Sequence, residues 1–226
     1  GQHMAWPIAL VNSALADSFR HMNEQIEKGV DVDTVIRTTL KENLGALFSG
    51  NGYNAELLHS VAKQHGLFHL TSTPAAWAEL TSAKNVAMFE RIGVFTADEL
   101  EARQTIAYER FTMDIEIEVR TALHMLRHSI IPAVRADVKA DHDAGFKSKG
   151  IAEKQALAQQ LLDATDALQT ALDSVPHGGA RATADYCNAT LRPALDSVRA
   201  VADKLEERVA AWPLPSVNEM TTAHHF

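Results

Sequence analysis

Apolar residues recur every three or four positions over most of this chain, which is the period of an α-helix rather than of a β-strand. At the start of the first such stretch, Pro7 suits the opening turn of a helix, where its missing N–H costs no hydrogen bond. The large apolar residues that follow share one helical face: Ile8, Val11, Leu15, Phe19, Met22 and Ile26. The pattern predicts an amphipathic first helix with a single apolar stripe.

A second helix is predicted from about Asp33 to Phe48, where the helical period continues until Gly50 breaks it. Residues 49–53 are predicted to form a turn, since Asn and Gly tolerate positive φ. No alternating apolar runs flank this segment, so a β-hairpin is not favoured. If Gly52 takes a positive φ, we expect Gly52→Val to strain the backbone by about 1–2 kcal/mol.

Capping residues predict three further short helices. The predicted caps are Asn54 for a helix that closes at Gly66, Thr73 with Pro74 in the first turn, and Ser82 for a helix that closes at Gly93.

Two longer helical segments follow. Thr96 and Glu99 have the spacing of a capping box, and the helix that they open meets no proline until Pro132, where we expect a kink. After a connector at residues 147–150, two Ala- and Leu-rich arms at about 152–175 and 180–211 flank the turn at residues 176–179, which predicts an antiparallel hairpin. The predicted fold class is all-α: a helical bundle with one long kinked helix and a long antiparallel helical hairpin.

The predicted organisation has three parts. Residues 1–4 are a cloning remnant or a native linker, residues 5–145 form a helical region, and residues 146–226 form the long hairpin with a proline-rich tail. A net charge of −8 argues against a nucleic-acid surface, because phosphate binding needs concentrated Lys and Arg. Cys187 is the only cysteine, which excludes an internal disulfide and a Cys-based zinc site and favours a reducing compartment. With no apolar run long enough to span a membrane, we expect a cytoplasmic protein.

Several residues have spacings that can carry chemistry. His124 and His128 are four apart on one predicted helical face, but no Glu completes a zinc-protease motif, which favours solvated histidines. Glu116 and Glu118 are two apart and point to different sides of a helix, so they cannot act as an acid and base pair. Cys187 lies in an apolar pattern that predicts a packed thiol rather than a nucleophile.

Two further groups are interpreted as structural. Gly50-Asn51-Gly52 lacks the Lys-Ser/Thr of a phosphate-binding loop and follows a helix, not a strand. The arginines along the helices stand among acidic residues, which predicts exposed ion pairs that contribute little stability each: Arg91, Arg103, Arg110, Arg120 and Arg127.

Short, low-degeneracy segments lie between the predicted helices in one fixed order, mainly in turns, caps and the tail, where helical composition produces no similarity of its own. They are Ala5-Trp6-Pro7 with Asn12, residues 49–53, Thr71-Ser72-Thr73-Pro74, Ser82-Ala83-Lys84-Asn85, residues 89–95 and 99–103, Ile130-Ile131-Pro132-Ala133 and Trp212-Pro213-Leu214-Pro215. In this order they resemble the C-terminal region of type III glutamine synthetases. At residues 43–48 the chain departs from the basic, branched-chain approach that the family has before its Asn-Gly-Tyr turn.

The resemblance implies a ligase in which ATP phosphorylates the γ-carboxylate of glutamate and ammonia displaces the phosphate, with Mg²⁺ or Mn²⁺ held by carboxylates. In the family a Glu-Phe-Arg catalytic strand precedes the Trp-Pro helix, so we expect the active site upstream of residue 1. ATP and the divalent metal are therefore implied for the full-length parent only. Within this chain we expect no catalytic, cofactor-binding or metal-binding residue and no activity of its own.

The resemblance also implies partners: the catalytic domain of the same chain and the other subunits of a homo-oligomer. The stripe on the first helix is worth roughly 9–18 kcal/mol if fully buried, so we expect it to face such a partner, and the isolated chain to self-associate through it. A free-standing helical interaction or scaffold module without an enzymatic parent is the alternative. Whether the parent amidates a different acid with a different amine stays open.

Overall fold

A computed structural model describes residues 4–47, 49–145 and 147–215. The described residues form helices and the turns between them, with no strand, so the predicted all-α class is confirmed. The chain divides into two compact units, Gly1–Ile106 and Ala107–Phe226. The division falls inside a helix, and the domain boundaries proposed from the sequence remain a prediction.

The helices of the first unit follow one another with short turns. They are α1 (Ala5–Glu27), α2 (Val32–Glu42), α3 (Ala55–Gln64), α4 (Thr73–Ala78), α5 (Ala83–Arg91) and the first part of α6 (Ala97–Met125), with 3₁₀ turns at Leu44–Ala46 and Glu79–Thr81. Pro7 lies in the first turn of α1 as predicted. A small core of Leu80, Phe89 and Leu100 joins α5, α6 and the second 3₁₀ turn.

Helix α2 is shorter than the sequence predicted. Asp31 caps its start by accepting a hydrogen bond from the backbone N–H of Thr34, and the α-helix ends at Glu42. The side-chain amide of Asn43 donates to the carbonyl of Thr39, which offers the backbone an alternative to another helical turn. The predicted end at Phe48 lies outside the described residues.

The turn at residues 49–53 is built differently from the prediction. The backbone N–H of Tyr53 donates to Oδ1 of Asn51 at 3.0 Å, which is an Asx-type turn. Gly52 does not have a positive φ, and open space surrounds the position of an added Cβ. The condition on which strain was expected for Gly52→Val is therefore not met, because the Asn51 side chain holds the turn without a left-handed residue.

Of the predicted N-caps of the short helices, Asn54 makes its side-chain hydrogen bond, whereas Ser82 takes the N-cap position of α5 without one. Oδ1 of Asn54 accepts from the N–H of Leu57, and Gly66 and Gly93 take left-handed conformations where α3 and α5 end. The cap of α4 is Ser72 rather than Thr73, because the Ser72 hydroxyl accepts from the N–H of Ala75.

Helix α6 begins at the predicted capping box. The N–H of Thr96 donates to Oε2 of Glu99 at 2.8 Å, and the N–H of Glu99 donates to the Thr96 hydroxyl at 3.3 Å. Helical backbone then continues through a π turn at Leu126–Ile130 into α7 (Ile131–Ala144), which ends at left-handed Gly145. The π turn comes just before Pro132, where it widens the helix ahead of a residue that cannot donate a backbone hydrogen bond.

The second unit contains the predicted hairpin. Its first arm is α8 (Lys149–Asp173). This helix begins inside the segment predicted to be a connector, residues 147–150, because the Ser148 hydroxyl caps it. Its return arm is α9 (Ala180–Tyr186), a π turn at Cys187–Leu191 and α10 (Arg192–Glu206). This second π turn again precedes a proline, Pro193, which the sequence analysis had not singled out.

Apolar side chains of α6, α7, α8 and α10 form the larger core, which lies in the second unit. Its fully buried members include Val119, Leu161, Leu168, Leu191 and Leu205. Trp212 and Leu214 of the irregular segment after α10 also pack against it, whereas residues 216–226 of the predicted tail lie outside the described residues.

Candidate interaction surface

Helix α1 turns its charged residues toward its own unit. Its half-buried charged residues are Asp17, Arg20 and Glu24. They lie on the side that also carries half-buried Trp6 and buried Ser13. These positions are three or four apart and so form one face of the helix, which contacts α2 and α5. No other Asp, Glu, Lys or Arg occurs between residues 5 and 26.

Aromatic side chains hold the start of α1 in place. The Trp6 ring lies 5.7 Å from Trp77, 6.1 Å from Phe89 and 5.8 Å from Phe95, measured between ring centroids. The guanidinium of Arg103 lies over the Phe95 ring at 4.4 Å, within the range of a cation–π contact. The cluster fixes which face of α1 is directed inward.

A bidentate ion pair fixes the middle of α1. Nε and Nη2 of Arg91 on α5 donate to Oδ1 and Oδ2 of Asp17 at 2.9 and 2.7 Å. These hydrogen bonds from Arg91, reinforced by Arg20, hold the pKa of Asp17 at about 2, below its ordinary value, against the opposing effect of partial burial. Arg91 was predicted to make an exposed helix-face pair, and it instead connects two helices.

The opposite face of α1 is apolar and exposed. Val11 is 65% exposed and Phe19 is 60% exposed, and the rest of the stripe is exposed or half-buried: Ile8, Leu15, Met22 and Ile26. At about 100° per residue, the stripe points roughly 180° away from the face that carries Ser13 and Asp17. Helix α2 adds a second exposed apolar line of Val32, Ile36 and Leu40, spaced four residues apart. Such a face on a folded unit is typical of an interaction surface.

The residues considered for catalysis are not brought together. His124 and His128 are exposed with ring centroids 4.5 Å apart, and no group of three or more His, Cys, Asp and Glu residues within metal-binding reach occurs among the described residues. Glu116 pairs with Arg120 at 3.3 Å, while Glu118 is exposed. Arg110 pairs with Asp114 at 3.8 Å. Cys187 is fully buried, and burial, together with the nearby charge of Glu116, raises the pKa of its thiol, which fits a packed residue.

One buried charged group was not predicted from the sequence. Lys154 on α8 is buried and forms ion pairs with Asp137 and Asp141 on α7, and Oδ1 of Asp137 also accepts from the N–H of Ala210 at 3.2 Å. Burial opposes the charge of Lys154, but the hydrogen bonds from its ammonium group to the two carboxylates outweigh this and raise its pKa. The only signal in the sequence was the spacing of Asp137 and Asp141, which does not identify a partner on another helix.

Comparison with known proteins relates the sequence of this chain to one enzyme family. Residues 31–140, from the cap of α2 into α7, match the family model described as the glutamine synthetase C-terminal domain. The type-3 glutamine synthetase of Dictyostelium discoideum is 24% identical over 97% of this chain and 33% of its own length. The glutamine synthetase of Butyrivibrio fibrisolvens is 28% identical over 94% of this chain and 32% of its own length.

Residues 31–140 thus match a glutamine synthetase C-terminal domain, and the resemblance to the type III enzymes is confirmed. It spans about a third of the length of the curated relatives that it matches. Helix α1 precedes the part matched by the family model. No helix in the described part of the chain is long and apolar enough to cross a membrane.

Proposed function

We propose that this chain is the C-terminal helical part of a glutamine synthetase that joins glutamate and ammonia at the expense of ATP. The observation that carries the proposal is the coverage of the matches. Nearly all of this chain aligns with proteins named glutamine synthetase, while about two thirds of each relative has no counterpart here.

The proposed role of these residues is assembly rather than chemistry. ATP and Mg²⁺ or Mn²⁺ would serve the full-length enzyme, but the donor set of the described residues does not fit them, since no cluster of three or more metal-binding side chains forms. The carboxylates of Asp137 and Asp141 in the second unit both already form ion pairs with the ammonium group of Lys154.

The partner that we propose for the α1 stripe is the catalytic part of the same polypeptide, with further contacts to other subunits of a homo-oligomer. Two observations support a protein partner over solvent. All three charged residues of the helix between residues 5 and 26 face inward, and the outward stripe combines six large apolar side chains. The part of the relatives that has no counterpart here, about two thirds of their length, is the source that we propose for the surface that covers the stripe.

The activity is tested by comparing the complete natural gene product with residues 1–226 alone. We expect glutamate-dependent phosphate release and glutamine formation, with ATP and Mg²⁺ or Mn²⁺, only from the complete product. Activity of the 226-residue chain, or a gene product that ends without further residues and lacks activity, would contradict the proposal and favour a free-standing helical module.

Docking is tested in the same complete protein. Phe19→Glu places a charge in the stripe, and His21→Glu places the same charge on another exposed side of α1. We expect Phe19→Glu alone to lower the assembly and the activity of the enzyme, because it desolvates an unpaired carboxylate at an apolar contact. If the two variants behave equally, the stripe is not part of the interface. That result would not bear on the proposed activity.

A further inference from the structure

A cavity of about 350 Å³ lies between α7 and α8 in the second unit. Its floor is apolar and belongs to the larger core. Ile131, Val134 and Leu161 are buried, and Val138, Ala158 and Leu162 are half-buried. A concave site of this size with an apolar lining and a few polar groups at its edge is typical of small-molecule binding.

Basic side chains stand along the α7 edge of this cavity. Lys139 pairs with Asp143, and Nδ1 of His142 lies 3.6 Å from the same carboxylate. Asp143 is therefore the acidic partner of both basic side chains. Arg135 also lines the cavity and is exposed, and among the described residues it forms no ion pair. Arg135 is therefore the cation that remains available to a ligand at this edge.

Each acidic residue near this edge already contacts a basic side chain. Asp137 and Asp141 belong to the same helix, but both are engaged by the buried ammonium group of Lys154. Asp143 is engaged by Lys139 and His142, whose contacts hold its pKa below the ordinary value. The cavity thus combines an apolar floor with one exposed guanidinium that forms no ion pair among the described residues.

We propose that this cavity binds a small monocarboxylate with an extended apolar body, such as a medium-chain aliphatic acid. The carboxylate accepts hydrogen bonds from the guanidinium of Arg135, which matches its planar geometry, and the hydrocarbon lies on Val134, Val138 and Leu162. One free cation suits one negative charge, whereas a polyphosphate or nucleic acid requires several.

The test uses three probes on the 226-residue chain: octanoate, which has both features, octan-1-ol, which lacks the charge, and acetate, which lacks the apolar body. Isothermal titration calorimetry is expected to give octanoate a Kd on the order of 1 mM or tighter, given its roughly ten heavy atoms. Octan-1-ol and acetate are each expected to bind at least about tenfold more weakly, because each loses one of the two contributions.

Variants separate this site from general binding to apolar surface. Arg135→Gln is expected to weaken octanoate about tenfold, the value of a charge-assisted hydrogen bond. Arg127→Gln removes an exposed arginine of the π turn that does not line the cavity and should leave the affinity unchanged. Ala158→Phe fills the cavity and should abolish binding, with circular dichroism confirming that the helices remain.

Three outcomes would overturn the proposal. The first is that octanoate fails to bind the wild-type chain up to about 10 mM, a concentration well above the expected Kd. The second is that octanoate binds wild type and Arg135→Gln equally. The third is that light scattering shows the groove closed by a second copy, with association that Ala158→Phe abolishes and octanoate does not affect. None of these results depends on whether the full-length protein makes glutamine.

Discussion

Helix α1 and the two arms of the α8/α10 hairpin each carry an apolar stripe in the sequence, but the structure exposes the stripe of α1 and buries those of the hairpin. In the hairpin, Leu161 and Leu168 face α10 and the core at 1% and 0% exposure. On α1, side chains of the same kind face outward, and the polar side faces the rest of its unit. An apolar stripe therefore indicates which face of a helix is to be covered, but it does not identify what covers it.

The inward side of α1 explains how such a helix stays attached. Trp6 at one end and the Asp17–Arg91 pair in the middle anchor it without using the stripe. In the hairpin the apolar stripes themselves face inward, because the turn at residues 176–179 places the stripe of the return arm against the stripe of α8. Chain connectivity therefore gives each apolar stripe of the hairpin a partner. Within the described residues it leaves the stripe of α1 uncovered.

The largest expected effect tests this contrast directly. Leu168→Ala should lower the free energy of unfolding by about 3–5 kcal/mol, because it leaves a cavity in a fully packed core. Leu15→Ala on the exposed stripe should change it by less than about 0.5 kcal/mol. Urea unfolding of the monomeric chain followed by circular dichroism measures both, and a comparable loss at Leu15 would show that the stripe is covered within the chain.

The buried charge of the hairpin comes next. Lys154→Met should destabilise the chain by about 3 kcal/mol, since it leaves Asp137 and Asp141 beside each other without their counter-ion. Lys149→Met, in the exposed pair with Glu153 at 3.6 Å, serves as the matched control and should cost little. Adding Asp137→Asn to Lys154→Met should recover part of the loss, and no recovery would mean that packing rather than charge explains it.

Self-association should respond to the stripe by a smaller amount. We expect the isolated chain to associate in part through α1, and Phe19→Glu to weaken this by about 1.5–3 kcal/mol while most helical content remains. Light scattering over a range of concentrations measures the effect, with His21→Glu as the control for added charge. A wild-type chain that stays monomeric at high concentration would sink this expectation.

The smallest effect concerns the anchor of α1. The pKa of Asp17 is about 2 in the folded chain and near 3.8 ordinarily, so its stabilisation is present above about pH 4 and is lost as the pH falls toward 2. Because Arg91 is 41% exposed, Asp17→Asn should lower Tm by only about 1–3 °C at pH 7. This difference should disappear near pH 2, and Asp114→Asn should show neither effect. A Tm difference independent of pH would contradict the assignment.

Local patterns predicted the elements well where the residues concerned act on their neighbours in the chain. The capping box of Thr96 and Glu99, the cap at Asn54 and the arms of the hairpin all follow from interactions within a few positions. The errors arose where two local interactions competed. Asn43 ended α2 early, and Ser72 rather than Thr73 capped α4, because short polar side chains can satisfy the backbone in more than one way.

The contacts between distant residues were not predictable in the same way. The pairing of Lys154 with Asp137 and Asp141, the Asp17–Arg91 anchor and the cavity beside Arg135 each join side chains from different helices. Charged residues occur on most of the described helices, so their spacing does not identify partners on another helix.

The sequence by itself determined the all-α class, the long helix, the hairpin and the family, because periodicity, capping residues and turn segments are local properties that survive without knowledge of packing. Only the tertiary structure decided that the stripe of α1 points away from its own unit, and that Arg135 remains unpaired at the edge of an apolar cavity. Both depend on which helix faces meet, which is a property of the whole packing arrangement and not of any one helix.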